Sequence, residues 1–344
     1  MSAVSSYNDF GKLQEIVVGS AEGFNFPSID SSMKHFFSPP PGSESEAISV
    51  NTLARIVEET EEDLQALTDT LEKSGVRVRR PEQVDHSRPI NVLDWKSTAN
   101  HALMPRDCLL VVGDTIIEAP MAVRARYAET FPFRKLLREY FDGGARWLAA
   151  PKPQLPEETY QYDEAGNPVL GELEPLFDAA NIIRCGRDLF YNVSNTGNRF
   201  GAAWLARVLG SDYRVHEMSI CDDHVGTTIH VLKPGVLLAN AGRLNPDLIP
   251  EPLRGWKTLW FDDPQDDGFG FEWPRASTWI GMNILSVDEE TVIVPKAQDG
   301  LAKLLDSAGF TVIPVPYRHG RTFGGGFHCC SADVRRAGEL TSYL

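Results

Sequence analysis

Residues Asn181 to Ile220 read NIIRCGRDLFYNVSNTGNRFGAAWLARVLGSDYRVHEMSI. Two apolar runs meet at Gly186-Arg187, the pattern of a hairpin; an amphipathic stretch that ends at Gly210 reads as a helix, and YRVHEMSI as a third strand. The same order returns along the chain. CLLVVGDTIIEAP, a helix from about Ala122 to Tyr140 and RWLAAP form one copy. TTIHVLKPGVLLAN, a proline-rich stretch with little helical character and TLWFDD form another. NILSVDEETVIVP, AQDGLAKLLDSAG and FTVIPVPY form a further one. At the N-terminus, LQEIVVGS is followed by a long helix on which Leu53, Ile56, Val57, Leu64, Leu67 and Leu71 share one side, capped by Gly75, and by the short strand VRVRR. Five hairpin-helix-strand units result. None is large enough to bury its own apolar face, so five units around a common axis satisfy them all.

A doubly wound parallel sheet is the competing architecture. It fits less well, because hairpins precede the helices and no G-x-G-x-x-G turn is present. Two stretches fall outside the repeat and read as surface excursions: FFSPPPGSESEAIS (36–49) and PKPQLPEETYQYDEAGNPVLGELEP (151–175), the second long enough to line or cover a site.

Composition narrows the function classes. The chain has 344 residues, 42% of them hydrophobic, and a net charge of -15, which leaves no basic surface for nucleic acid or an anionic membrane. No apolar run approaches the ~20 residues of a membrane span, and MSAVSSYNDFGKLQ lacks the layout of a signal peptide, so a cytoplasmic location is expected. Five cysteines with no C-x-x-C pair argue against a disulfide framework and a zinc knuckle, and Asp222, His224 and His230 match no recognised metal spacing. Cys329 and Cys330 are adjacent; on a strand they face opposite ways, so at most one of them reaches a given pocket.

With hairpins around an axis, polar residues beside them face a common cavity. Asp107 precedes the second unit's hairpin, Asp178 the third and His224 the fourth; Arg243 follows the fourth hairpin, and FHCC follows the last strand. Singly, each has an ordinary reading: a buried cysteine as core filler, a hydrogen-bonded structural histidine, a carboxylate bonding turn amides, and Asp333 paired with Arg335 or Arg336.

Taken together, GGGFHCCSADVRR resembles the C-terminal signature of the glycine amidinotransferase family. MPRDCLLVVGDTIIEAPMAVRARY, EPLFDAANIIRCGRDLFY, DYRVH, WIGMNIL and the final SYL are similar to family segments in the same order, over nearly the whole chain. FDAAN and WIGMN look more like the bacterial members, such as inosamine-phosphate amidinotransferases. The resemblance implies an α/β fold, a five-bladed pseudosymmetric α/β propeller of the pentein type, with residues 1–344 as one domain of five units. It implies transfer of the amidino group of L-arginine to a primary amine by a ping-pong route, with ornithine released and no cofactor or metal.

The resemblance also assigns roles. Cys329 is the implied nucleophile, His224 the general acid and base, and Asp178 the carboxylate orienting it. Asp107 is to hold the guanidinium, and Arg243 and Ser277 the donor's carboxylate. Chemistry requires these types: a guanidinium is a poor electrophile, so its carbon needs a soft thiolate and carboxylates fixing its plane. One departure stands out. Relatives usually carry His-x-Asp where this chain has His224-Val225-Gly226, so either Asp222 or Asp223 reaches in or the pocket is roomier and the donor is not plain arginine; arginine is preferred, because Arg243 and Ser277 suit an α-carboxylate. Acids at Asp222 and Asp223, beside the acceptor's entry, favour a cationic amine such as lysine, ornithine or a diamine over a phosphorylated one, unless they are simply solvated. Glycine, a basic amino acid and an inosamine phosphate all stay open as acceptors. Expected partners are these small molecules, with no nucleic acid, no membrane, and at most a second copy in a homodimer. The competing functions are a guanidine-group hydrolase of the same fold and a non-catalytic arginine-binding module.

Overall fold

In the computed structural model, residues 2–27, 29–37, 50–266 and 275–344 are described. Five three-stranded sheets carry the architecture. In each, an antiparallel pair is followed by a third strand parallel to the second. The third unit pairs Ile182–Cys185 with Asp188–Asn192, then sends the chain through the helix Arg199–Leu209 to Arg214–Met218. The second and fifth units repeat this plan at Leu109–Ala149 and Leu285–Val315, and the fourth, Ile229–Phe261, keeps the strand pairing but crosses over through two short turns, Pro246–Leu248 and Glu251–Leu253, in place of an α-helix. The first is assembled from both ends of the chain. Leu13–Val18 lies parallel to Arg77–Arg79 and antiparallel to the last strand, Ser331–Arg336, which closes the ring of units. That strand supplies the missing half of the N-terminal hairpin.

The long helix Val50–Lys73 buries Ile56, Leu64, Leu67 and Leu71 against the first unit, with Leu53 and Val57 at the margin. Gly75, at φ +81°, turns the chain after it. Between Ala122 and Tyr140 the structure departs from the expected single helix: only Arg134–Asp142 is α-helical, preceded by separate turns at Arg124–Arg126 and Phe131–Phe133. Pro132 has no amide for a helix running through it and sits instead at the start of a helical turn. The excursion at 151–175 forms a small hairpin, Tyr160–Tyr162 with Pro168–Leu170, whose tyrosines pack on His35 of the short helix Ser31–Phe36. The loop expected at 36–49 lies, apart from Phe36 and Phe37, outside the described residues. None of the described helices is long and apolar enough to cross a membrane.

Charged residues bind the units together where they converge. Arg184, on the third unit's first strand, is about 1% exposed and meets Asp9 and Asp333 together, the latter at 2.6 Å. It also donates to Ser6 Oγ and the Val111 carbonyl, both at 2.9 Å. Asp333 takes a further bond from Arg336 Nε (2.7 Å), and Arg106 lies 3.6 Å from Asp9. Burial on its own would raise both carboxyls, but the arginines hold Asp9 and Asp333 below the usual range. Such groups stabilise the fold above the pKa of the unfolded carboxylate and lose that contribution as pH falls through the folded value. Stability is therefore expected to drop steeply below about pH 4. Asp333→Ala leaves Arg184 buried with too little counter-charge and should cost about 3–5 kcal/mol in denaturant unfolding at neutral pH.

Candidate active site

The five units place their functional side chains by one rule: each uses the short segment just before its own first strand. Asp107 is in the turn Pro105–Cys108 before Leu109–Val112, and Asp178 caps the turn Ala179–Asn181 before Ile182–Cys185. His224 precedes Val225–Thr227 and the strand Ile229–Lys233; Ser277 precedes Thr278–Met282 and Leu285–Ser286. Cys329 comes two residues before Ser331–Arg336. Each residue thus points from its unit into a shared cavity of about 170 Å³, except Asp178, which sits fully buried behind His224.

Cys329, His224 and Asp107 meet in that cavity, their sulfur, nitrogen and oxygen atoms all within 4.8 Å of one another. His224 Nε2 bonds Asp178 Oδ2 at 3.0 Å, and its Nδ1 is 3.8 Å from Asp107 Oδ1. That Asp107 oxygen is buried and accepts no hydrogen bond. Burial opposes a charged imidazole, but Asp107, the Asp178 bond and the Cys329 thiol outweigh it and hold His224 well above the usual histidine range. Burial also pushes the Cys329 thiol up; Asp107 adds to this, and His224 offsets only part of it. The resting pair at neutral pH is therefore an imidazolium beside a neutral thiol.

Cys329, Asp107 and His224 are also the one set of three metal-type side chains that meets among the described residues. Asp222 is exposed, and His230 Nε2 is committed to the Gly226 carbonyl at 2.7 Å; neither joins such a set. Cys330 faces away, fully buried beside Tyr317 and Phe327, and its thiol is pushed far up by burial.

Arg243 and Asp223 both line the cavity and face each other at 3.5 Å, while Arg243 Nη1 also donates to Thr227 and Thr228 hydroxyls at 3.1 and 3.2 Å. Ser277 lines the cavity as well and is exposed. Asp222 does not reach it, and Asp223 has a cation beside it, so the acidic acceptor mouth expected from these two residues is largely neutralised. The excursion at 151–175 contributes no lining residue; its hairpin instead backs the helix whose Met33 and Phe36 do, the Phe36 ring standing 6.0 Å from that of His224.

Two residues that sequence reasoning missed organise the rest. Arg126 donates to Asp107 Oδ2 (2.9 Å), Asp178 Oδ2 (3.2 Å) and Glu129 (3.0 Å), cross-linking the carboxylates on either side of His224. It was hidden inside the expected helix at 122–140. Asn283, fully buried, accepts the Cys329 amide at 3.0 Å and so fixes the backbone at Cys329. Its Nδ2 stands where a side chain at 226 would begin, 2.2 Å from a Cβ built on Gly226. Of the two acids expected to reach in, Asp223 lines the cavity and Asp222 does not. The space beside Gly226 itself is taken by an amide from the fifth unit. The triple glycine has a similar cause: Gly324 adopts φ +79°, and Cβ atoms on Gly325 and Gly326 would strike Met104 and Asn283.

Comparisons with known proteins follow this geometry. The chain is 44% identical to inosamine-phosphate amidinotransferase 1 of Streptomyces glaucescens over 100% of its own length and 99% of that protein. It is 40% identical to the L-arginine:L-lysine amidinotransferase of Pseudomonas savastanoi pv. phaseolicola, covering 100% and 97%. The solved structure of an inosamine-phosphate amidinotransferase from Streptomyces griseus superposes with a TM-score of 0.93 at 41% identity, covering 100% of this chain and 99% of that one. No family model matches.

Two outcomes are expected. Iodoacetamide should modify Cys329 more slowly than free cysteine at neutral pH, with a rate that climbs through the alkaline range, and should spare Cys330; peptide mapping reads both. Gly226→Asp alone should lower the melting temperature by colliding with Asn283. Adding Asn283→Ala should recover part of the loss, giving a favourable coupling above about 0.5 kcal/mol in a double-mutant cycle.

Proposed function

The chain belongs to the amidinotransferase family, as relatives at 40–44% identity over the full length show, and from that premise we propose how this enzyme carries its amidino group and from what donor. The donor is a guanidino compound, L-arginine, and the carrier is the sulfur of Cys329. The observation that supports this most directly is Asp107, whose Oδ1 is a buried acceptor with no donor of its own 3.8 Å from the imidazole and whose carboxylate lies within 4.8 Å of the thiol. A guanidinium N–H laid against it brings the central carbon beside the sulfur, and the new positive charge next to Cys329 favours its thiolate.

The proton balance then runs through His224. The Cys329 sulfur attacks the guanidinium carbon, forming C–S; the imidazolium donates its proton to the departing amine as C–N breaks; and the proton given up by the thiol restores the imidazolium. Ornithine leaves, and the sulfur keeps the amidino group. In the return half, a primary amine attacks that carbon, the imidazolium gives its proton to the sulfur as the C–S bond breaks to regenerate the thiol, and the proton given up by the amine restores the imidazolium. Asp178 holds the imidazole in place through Nε2, which leaves Nδ1 to face the reacting atoms. Arg243 and Ser277 take the donor's α-carboxylate. The acceptor is a primary amine; the relatives' names specify an inosamine phosphate in one and L-lysine in another.

The test is mass spectrometry of the protein after mixing with L-arginine and no amine. One amidino group is expected on the peptide bearing Cys329, with ornithine released in equal amount; continued ornithine release without an acceptor points instead to water as the second reactant. Cys329→Ala should abolish both signals, whereas Cys330→Ala keeps most of the turnover. Asp107→Asn should lower kcat/KM for arginine by roughly 10- to 100-fold, the worth of about 1.5–3 kcal/mol for a charge-assisted hydrogen bond.

A further inference from the structure

Among the described residues, Arg126, Arg243, Arg275 and His224 bring positive charge to the cavity lining, and their surroundings differ. His224 and Arg126 are held by Asp107, Asp178 and Glu129, and Arg243 has Asp223 and two hydroxyls. Arg275 has none of this. Its guanidinium lies over the rings of Phe24 and Phe26 at 5.6 and 5.0 Å, its Nη1 reaches the amide of Asn100 at 3.5 Å, and no carboxylate among the described residues pairs with it. The two phenylalanine rings, set edge to face, give the guanidinium an apolar contact without a counter-charge, and Arg275 lines the cavity. Burial, and behind it the like charge of Arg126, pull Arg275 down to about 10. It remains a cation at neutral pH, and an anion beside it would relieve both effects.

From this arrangement we infer that Arg275 is the anion-binding subsite for the acceptor, which is a primary amine carrying a carboxylate or phosphate. The inference rests on the proposed two-half reaction. Arginine brings a single carboxylate, which Arg243 and Ser277 are placed to receive, so the donor leaves Arg275 without an anion. A diamine would bring a second positive charge into a cavity that already holds Arg243 and Arg275. An amine with an anionic end satisfies Arg275 and directs its nitrogen toward Cys329. With Asp223 answered by Arg243, Asp222 outside the cavity and Asp107 taken up by the amidino group that Cys329 carries in the loaded enzyme, no free acid among the described lining residues reverses this preference.

The experiment separates the halves. Enzyme loaded with the amidino group from L-arginine is freed of donor, then mixed with O-phosphoethanolamine, glycine, ethanolamine or 1,4-diaminobutane, and loss of the adduct is timed. Wild-type enzyme should be discharged at least about tenfold faster by one of the two anionic amines than by ethanolamine. The faster of the two tells phosphate from carboxylate. In Arg275→Gln the ratio of anionic to neutral discharge should fall by roughly ten- to a hundredfold, and Arg275→Lys should keep much of it. Equal discharge by ethanolamine or by the diamine overturns the inference, as does an Arg275→Gln enzyme whose ratio is unchanged or whose ornithine release slows by as much as its discharge. If no adduct forms from arginine, the proposed function fails and not this subsite. Calorimetric titration of O-phosphoethanolamine and glycine into wild type and Arg275→Gln then decides: binding lost in the variant supports the subsite, and equal binding or none in wild type refutes it.

Discussion

Everything in this molecule depends on the buried pairing of Arg184 with Asp9 and Asp333. A ring of five small units has no single core to hold it. The apolar side chains instead fall into separate clusters, each set between neighbouring units. Arg184 comes from the third unit, Asp333 from the closing strand and Asp9 from the N-terminal segment, so one guanidinium fixes three parts of the ring at once. Such a network does not stabilise in proportion to its number of bonds, because desolvating the charges offsets much of the attraction. What it secures is position: a charge buried this deeply tolerates only the one arrangement that answers it.

Position is what the cavity needs. The residues that anchor the ring alternate along the chain with those that line the site. Arg106, beside Asp9, precedes Asp107; His328, bonded to Arg106 Nε, precedes Cys329; Asp333 follows four residues on. Arg106 also donates its amide to the Cys329 carbonyl at 3.4 Å. Neighbouring residues thus face opposite ways, one into the charge network and the next into the cavity. Any slip of one unit against another would move the carboxylate, the imidazole and the thiol apart, since each comes from a different unit.

The repeat was legible because a hairpin, a helix and a parallel strand leave a distinct pattern of apolar runs and turn residues, and that pattern does not need identical letters. Asp107, Asp178 and His224 stood out for a related reason: a polar residue just ahead of an apolar hairpin is placed by the repeat itself, whereas Cys329, read as following the last strand, was singled out by the family resemblance. Arg126 and Asn283 carried no such mark. Arg126 lay in a stretch whose periodicity suited a helix, and only packing around Pro132 breaks it into turns. Asn283 acts through one amide, and its contacts, Cys329 and Gly226, are distant in sequence. The closure of the first unit by the last strand was hidden likewise, because pairing between chain ends leaves no local signal.

Gly226 shows how such a distant pairing changes the chemistry. An acid at that position would add a second negative charge against the guanidinium, but the space belongs to Asn283, which uses its oxygen to hold the Cys329 amide and turns its nitrogen toward residue 226. On the proposed reading, a cation in this pocket is gripped along one edge, by Asp107, whose other oxygen is already shared with Arg126. A group held less tightly in the ground state has less binding to lose on the way to the tetrahedral carbon, so the missing clamp weakens capture of the donor more than the chemical step. The binding energy for the donor must then come from its far end, through Arg243 and Ser277. A donor without a carboxylate to offer them would be held by Asp107 alone, which makes selectivity for an amino-acid donor a consequence of the same glycine.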